Sequence, residues 1–194
     1  MTVSLPLTLL LDYSIAVTAD PKTWERTAAD ELRGYLEKRI AGSLTVDGAE
    51  ARFHVGDTSF AADKGLPSAS LRDEEWVVKS FGGDVVLNGG GTRGVLYAVS
   101  HFLEDRLGVR WWTDFEECVP AKSDMKLGAL DDRGRPAFAY RDIHLKSVHR
   151  KSPRTAMMKR LNRLASATFP LSLGGSYDFG GPSFTHTFDR YLPA

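Results

Sequence analysis

The chain has 194 residues, enough for one ordinary domain with a sizeable core plus a remainder. Its 25 Lys and Arg balance 25 Asp and Glu with no long run of either sign, which removes the electrostatic case for nucleic acid or an anionic membrane as partner. The one cysteine, Cys118, excludes an intramolecular disulfide and leaves no cysteine set for a metal, so it reads as a small buried hydrophobe.

The N-terminal MTVSLPLTLLLDYS is apolar but has no basic leader and no small-x-small cleavage site. It reads as an edge strand, with a trimmed export signal as the alternative. Ser14 to Thr18 is a short strand broken by Ala19-Asp20-Pro21. Trp24, Ala28, Leu32, Leu36 and Ile40 then recur at helical spacing, with Tyr35 widening the stripe and Glu25, Arg26, Asp30, Arg33, Glu37 and Lys38 on the other side. Asp20 or Thr23 is placed to cap this helix and Gly42 to end it. Arg52 to Gly56 is a further strand after the Asp47-Gly48 turn, and residues 57 to 72 read as irregular.

Glu75 to Ser80 and Asp84 to Leu87, separated by Phe81-Gly82-Gly83, have the pattern of a hairpin. A second helix runs from Thr92 to about Leu107, stopped by Gly108, and Val109 to Thr113 reads as another strand. Strands alternating with two long helices give an α/β (α+β) fold, a small mixed sheet covered by those helices. Residues 120 to 135 are polar and rich in Asp, Gly and Lys and read as a linker after a domain over 1 to 119. Beyond it, Pro136 to Leu145 looks like a new strand and Ser152 to Ala167 holds a helix-compatible run.

Gly89, Gly91 and Gly94 spell G-x-G-x-x-G between a strand and a helix, with Asp114 twenty residues past Gly94. A dinucleotide site uses such glycines to bring pyrophosphate to the helix N-terminus and such a carboxylate to hold ribose. The order is inverted here, since a full set of elements precedes the motif and a polar stretch follows. The favoured reading is therefore close packing of strand against helix, with no cofactor and no metal. Nucleotide binding through Gly89, Gly91, Gly94 and Asp114 is the alternative.

The run EEWVVKS, then GGDVVLNGGGTRGVLYAVSHFLEDRLGVRWW, with TWERTAADELRGYLEKRIAG and VGDT before it, resembles the small α/β domain that precedes the barrel in β-N-acetylhexosaminidases and α-glucuronidases. It is most similar to a bacterial glycoside-hydrolase-like family, over roughly residues 14 to 115. The resemblance implies a hexosaminidase-like small domain followed by an incomplete (β/α)8 barrel over 136 to 194. It implies carbohydrate as the parent's ligand and a periplasmic or secreted location. It also implies that Arg141 and His186 contact sugar and that a barrel packs on Trp111 and Trp112. His144 and His149 have no partner pattern.

Glycoside hydrolysis uses a pair of carboxyl groups, and no convincing pair stands out. Glu74-Glu75, Asp84 and Glu116-Glu117 read as solvated charges, and Asp142 would end a lone barrel strand. The expected role is a non-catalytic N-terminal portion of a glycoside hydrolase, with no catalytic residue of its own.

Overall fold

The structure is a computed structural model that describes residues 13–113, 115–143, 153–162, 170, 172, 174 and 175. Asp114, His144, His149 and His186 lie outside the described residues, as does the apolar run before Tyr13.

The chain folds as β1 (Tyr13–Ala16), α1 (Thr23–Arg39), β2 (Ile40–Val46), β3 (Ala49–Val55), α2 (Ser59–Asp63), β4 (Trp76–Phe81), β5 (Asp84–Gly89) and α3 (Gly94–His101). After a π-helical turn over Phe102–Arg106 come β6 (Arg110–Trp111), β7 (Glu117–Cys118), β8 (Ser123–Leu127), β9 (Asp131–Gly134) and α4 (Pro153–Met158). Seven strands form one mixed sheet: β1 and β5 flank β3 in parallel, β4 pairs antiparallel with β5, and β9 pairs antiparallel with β4. This is the mixed α/β architecture the alternation of elements implies. Along one edge, β3 pairs first with β2 (Thr45 with Glu50) and then with β1 (Tyr13 with Ala51), so the sheet forks there.

Period-2 alternation sends Ala51, Phe53 and Val55 of β3 and Val85 and Leu87 of β5 to the face covered by α1 and α3, where all are buried. Leu32, Tyr35 and Leu36 of α1 and Tyr97, Phe102 and Leu103 close the core from above, with the Phe53 and Phe102 rings edge to face at 5.3 Å. Each such large side chain contributes about 1.5–3 kcal/mol by leaving water. The opposite face carries Arg52, His54 and Asp84, with Phe60 of α2 stacked on His54 at 4.1 Å. Among the described residues no helix is long and apolar enough to cross a membrane.

Four expectations change. Residues 120 to 135 are not a free linker, because Ile40 and Leu44 of β2 pair with Ser123 and Met125 of β8, and Trp76 to Lys79 pair with β9. Alternating polar residues suit a half-exposed edge strand as well as a linker, which is why they mislead. Helix α1 ends without a glycine: Ile40 is already extended and opens β2, while Gly42 lies within that strand. Residues 136 to 143 hold no strand, with bends only over 137 to 139, and the Arg141 backbone N–H is bonded to the Asn162 side chain at 2.8 Å. Cys118 is exposed, since β7 belongs to the small β6–β7 hairpin outside the main sheet.

Candidate functional site

The glycine turn is filled by the protein's own backbone. A Cβ on Gly94 would lie 2.5 Å from the Glu75 carbonyl oxygen and 2.6 Å from the Gly89 carbonyl carbon. Gly90 is clasped by the 73–75 turn, with its N–H donating to Glu75 at 2.9 Å and its carbonyl accepting from Glu74 at 3.2 Å. Gly91 has φ +65° beside the Asp73 carboxylate. The Asp73 carboxylate thus stands beside the turn, and the close approach of strand to helix is what Gly89 and Gly94 provide.

Glu74, read from sequence as a solvated charge, is buried and stands in the left-handed region at φ +61°. Its Oε1 accepts from Arg93 Nε at 2.6 Å, Arg141 Nη2 at 2.7 Å and Asn162 Nδ2 at 3.0 Å, and its Oε2 accepts from Arg141 Nη1 at 3.1 Å. Burial alone would raise the carboxyl, but the bonds from Arg141 and Arg93 outweigh it and hold it below the ordinary glutamate range. Burial pushes the neighbouring Tyr97 hydroxyl up, so it stays protonated and accepts from Arg141 Nη2 at 2.7 Å.

Arg141, the residue expected to hold sugar hydroxyls, has its whole fork committed. Nε donates to the Arg160 carbonyl at 2.9 Å, Nη1 to Glu74 and the Phe138 carbonyl, and Nη2 to Glu74 and Tyr97. These are the five donors a guanidinium possesses. It acts as a latch joining the segment after the sheet to the turn before β4.

The VGDT segment has a comparable structural role. Gly56, at φ +78°, leaves the space that the Glu25 carboxylate fills, and that carboxylate accepts from the N–H groups of Lys22 and Asp57 at 2.8 Å each. Glu25 is therefore buried at the start of α1 instead of lying on its wet side. Asp57 accepts from Ser68 and Asn88, and Thr58 caps α2 through Ala61 at 3.2 Å.

A second cluster surrounds the β6–β7 hairpin. Trp111 is buried; its Nε1 donates to the Tyr35 hydroxyl at 2.6 Å, and that hydroxyl donates to Glu117 Oε2 at 2.5 Å. Lys38 reaches Glu117 Oε1 at 2.7 Å. Burial would raise the Glu117 carboxyl, but the Lys38 and Tyr35 bonds outweigh it and hold it low. Trp112 and Phe115 remain exposed, at 60% and 86%. The pair proposed from sequence as a docking surface thus divides, with Trp111 in the core and Trp112 outside. No local pattern signals the Tyr35 link, since its partners are 76 and 82 residues away. Beyond the hairpin, Arg154 of α4 pairs with Glu31 of α1 at 2.6 Å and Arg160 with Glu104 at 2.6 Å, while Met157, Met158 and Leu161 enter the core.

No family model matches this chain, and no curated protein does. A solved structure, that of a GH138 enzyme targeting pectin rhamnogalacturonan II, aligns at 15% identity over 55% of this chain with a TM-score of 0.33. The aligned part is 15% of that protein's length, and a likeness of this size transfers neither fold nor activity.

Proposed function

We propose that this chain is a non-catalytic N-terminal portion of a carbohydrate-active enzyme, the parent being a glycoside hydrolase. The observation that carries the non-catalytic half is the state of its carboxylates. Glycosidic cleavage needs a carboxyl held protonated near neutral pH as general acid, next to an ionised partner. Among the described residues, every carboxyl with a resolved shift, Asp57, Glu74, Glu75, Asp84 and Glu117, is shifted down. In all but Glu75 the largest influence is burial, which raises, and hydrogen bonds and cations outweigh it. Each is committed to hydrogen bonds or ion pairs within the chain, an arrangement suited to holding structure together.

The carbohydrate half rests on the ordered resemblance over residues 14 to 115, whose motifs now have structural reasons. VGDT seats the Glu25 cap, and GGGTRG lets β5 and α3 meet. The Glu74–Arg141 latch supports the idea of a domain that holds the chain following it in a set orientation. Incubation with a panel of chromogenic glycosides tests the reading. No release above buffer is expected; release that disappears when one of these five carboxylates is replaced by its amide would make the chain catalytic and defeat the proposal.

A further inference from the structure

We propose that the cleft beside Glu117 is a subsite for one neutral ring bearing vicinal hydroxyls, a pyranose unit of a glycan. The cleft holds about 270 Å³ between the β6–β7 hairpin and α4, with Phe115, Glu116, Glu117 and Arg154 in its wall. That lies just under the range of about 300–1,000 Å³ for small-molecule pockets, which fits one ring and not a dinucleotide.

The polar groups are held by the chain's own bonds. Glu117 is pinned by Tyr35 and Lys38, one bond to each oxygen, and each oxygen keeps a lone pair for a further donor. Arg154 is pinned through Nε and Nη2, which hold Glu31 at 2.7 and 2.6 Å, and its guanidinium lies over the Tyr35 ring at 5.0 Å. Its Nη1 stands 3.6 Å from Glu117 Oε2, beyond hydrogen-bond reach, and makes no hydrogen bond to the described residues. A donor held by Glu31 therefore stands beside an acceptor held by Tyr35 and Lys38. Adjacent hydroxyls on a ring need that pairing, one donating to a carboxylate while its neighbour accepts from a guanidinium.

Two further features select the ligand. Phe115 presents an exposed ring at the wall, a flat apolar surface for the C–H face of a pyranose. Among the described residues that line the cleft, Glu116 and Glu117 face the cation Arg154, a balance that disfavours anions. The inference deepens the carbohydrate reading above but stands on a separate measurement. Binding can fail while the chain remains non-catalytic, and it can succeed whatever bond the parent cleaves.

Saturation-transfer NMR on the whole chain, with the methyl glycosides of glucose, galactose and mannose as probes, tests it. At least one should receive saturation on its ring protons. Phe115→Ala should weaken that probe roughly tenfold, about 1.4 kcal/mol, with an unchanged melting temperature. Arg154→Lys, which cannot keep the planar fork, should weaken it as well. Methyl glucuronide and inorganic phosphate should bind more weakly than the neutral probe. Silence from all three probes, binding indifferent to Phe115→Ala, or preference for glucuronide or phosphate would each overturn the proposal.

Discussion

Glu74 combines three costs at one residue: a left-handed backbone, burial, and a charge. The backbone alone costs on the order of 1–3 kcal/mol and persists only where surroundings enforce it. Here Arg93, Arg141 and Asn162 enforce it. Glu74→Gln removes the anion that Arg141 holds and the nearer of the two carboxylates at Arg93, and should cost about 3–5 kcal/mol in urea unfolding. The pH dependence has a definite sign. The carboxyl is held below its unfolded value of about 4.3, so its contribution is complete above that pH and fades as pH falls through the folded value. Wild-type stability should therefore drop below about pH 4.3, and the variant's curve should be flatter in that limb. Equal steepness in the two proteins would assign the titration elsewhere. Sequence could not tell Glu74 from Glu75, because two adjacent glutamates carry no sign of which one the chain turns inward. Arg141 was recognisable as a special arginine, but its partner proved to be inside the molecule.

At the scale of elements, the glycine turn yields the sharpest test. Gly94→Ala forces a Cβ against the Glu75 carbonyl and the Gly89 backbone, neither of which is the yielding end of a side chain. A loss of about 1–3 kcal/mol in thermal unfolding is expected from such overpacking. NAD and ATP should leave the wild-type melting temperature where it is, although a ligand at a hundredfold its Kd stabilises by about 2.7 kcal/mol. A Gly94→Ala protein melting like the wild type, or a shift with either nucleotide, would restore the phosphate-cradle interpretation. Helical periodicity locates α1 and all of α3, running on through the π-helical turn, and the hairpin β4–β5 is plain from its Gly82-Gly83 turn. Periodicity cannot report which neighbours a strand will find. For that reason the polar pattern of β8 and β9 matches a linker, and the apolar spacing of Ile40 matches a helix although its pairing with Ser123 draws it into β2.

For the molecule as a whole, the segments after the sheet are tied back into it. Arg106 grips Asp132 of β9, and Arg154 and Arg160 bind α4 to the helical layer above a shared apolar core. Limited trypsin digestion read by mass spectrometry should leave the bonds after Lys126 and Arg133 intact while the sheet is folded, because both residues lie in paired strands. Early cleavage after Lys126 would show that β8 does not hold its place. The global features visible in the sequence were those set by local pattern: the two helices, the central strands and their alternation. The ion pairs that join distant segments were not visible, since charge complementarity between residues more than a hundred apart, such as Glu31 and Arg154, has no signature in either stretch.

One junction has a mechanical meaning. With Arg39 the last residue of α1 and Ile40 the first of β2, no slack separates helix from strand. Helix and strand therefore share one rigid joint, so the position of α1 and the register of β2 on β8 are set together.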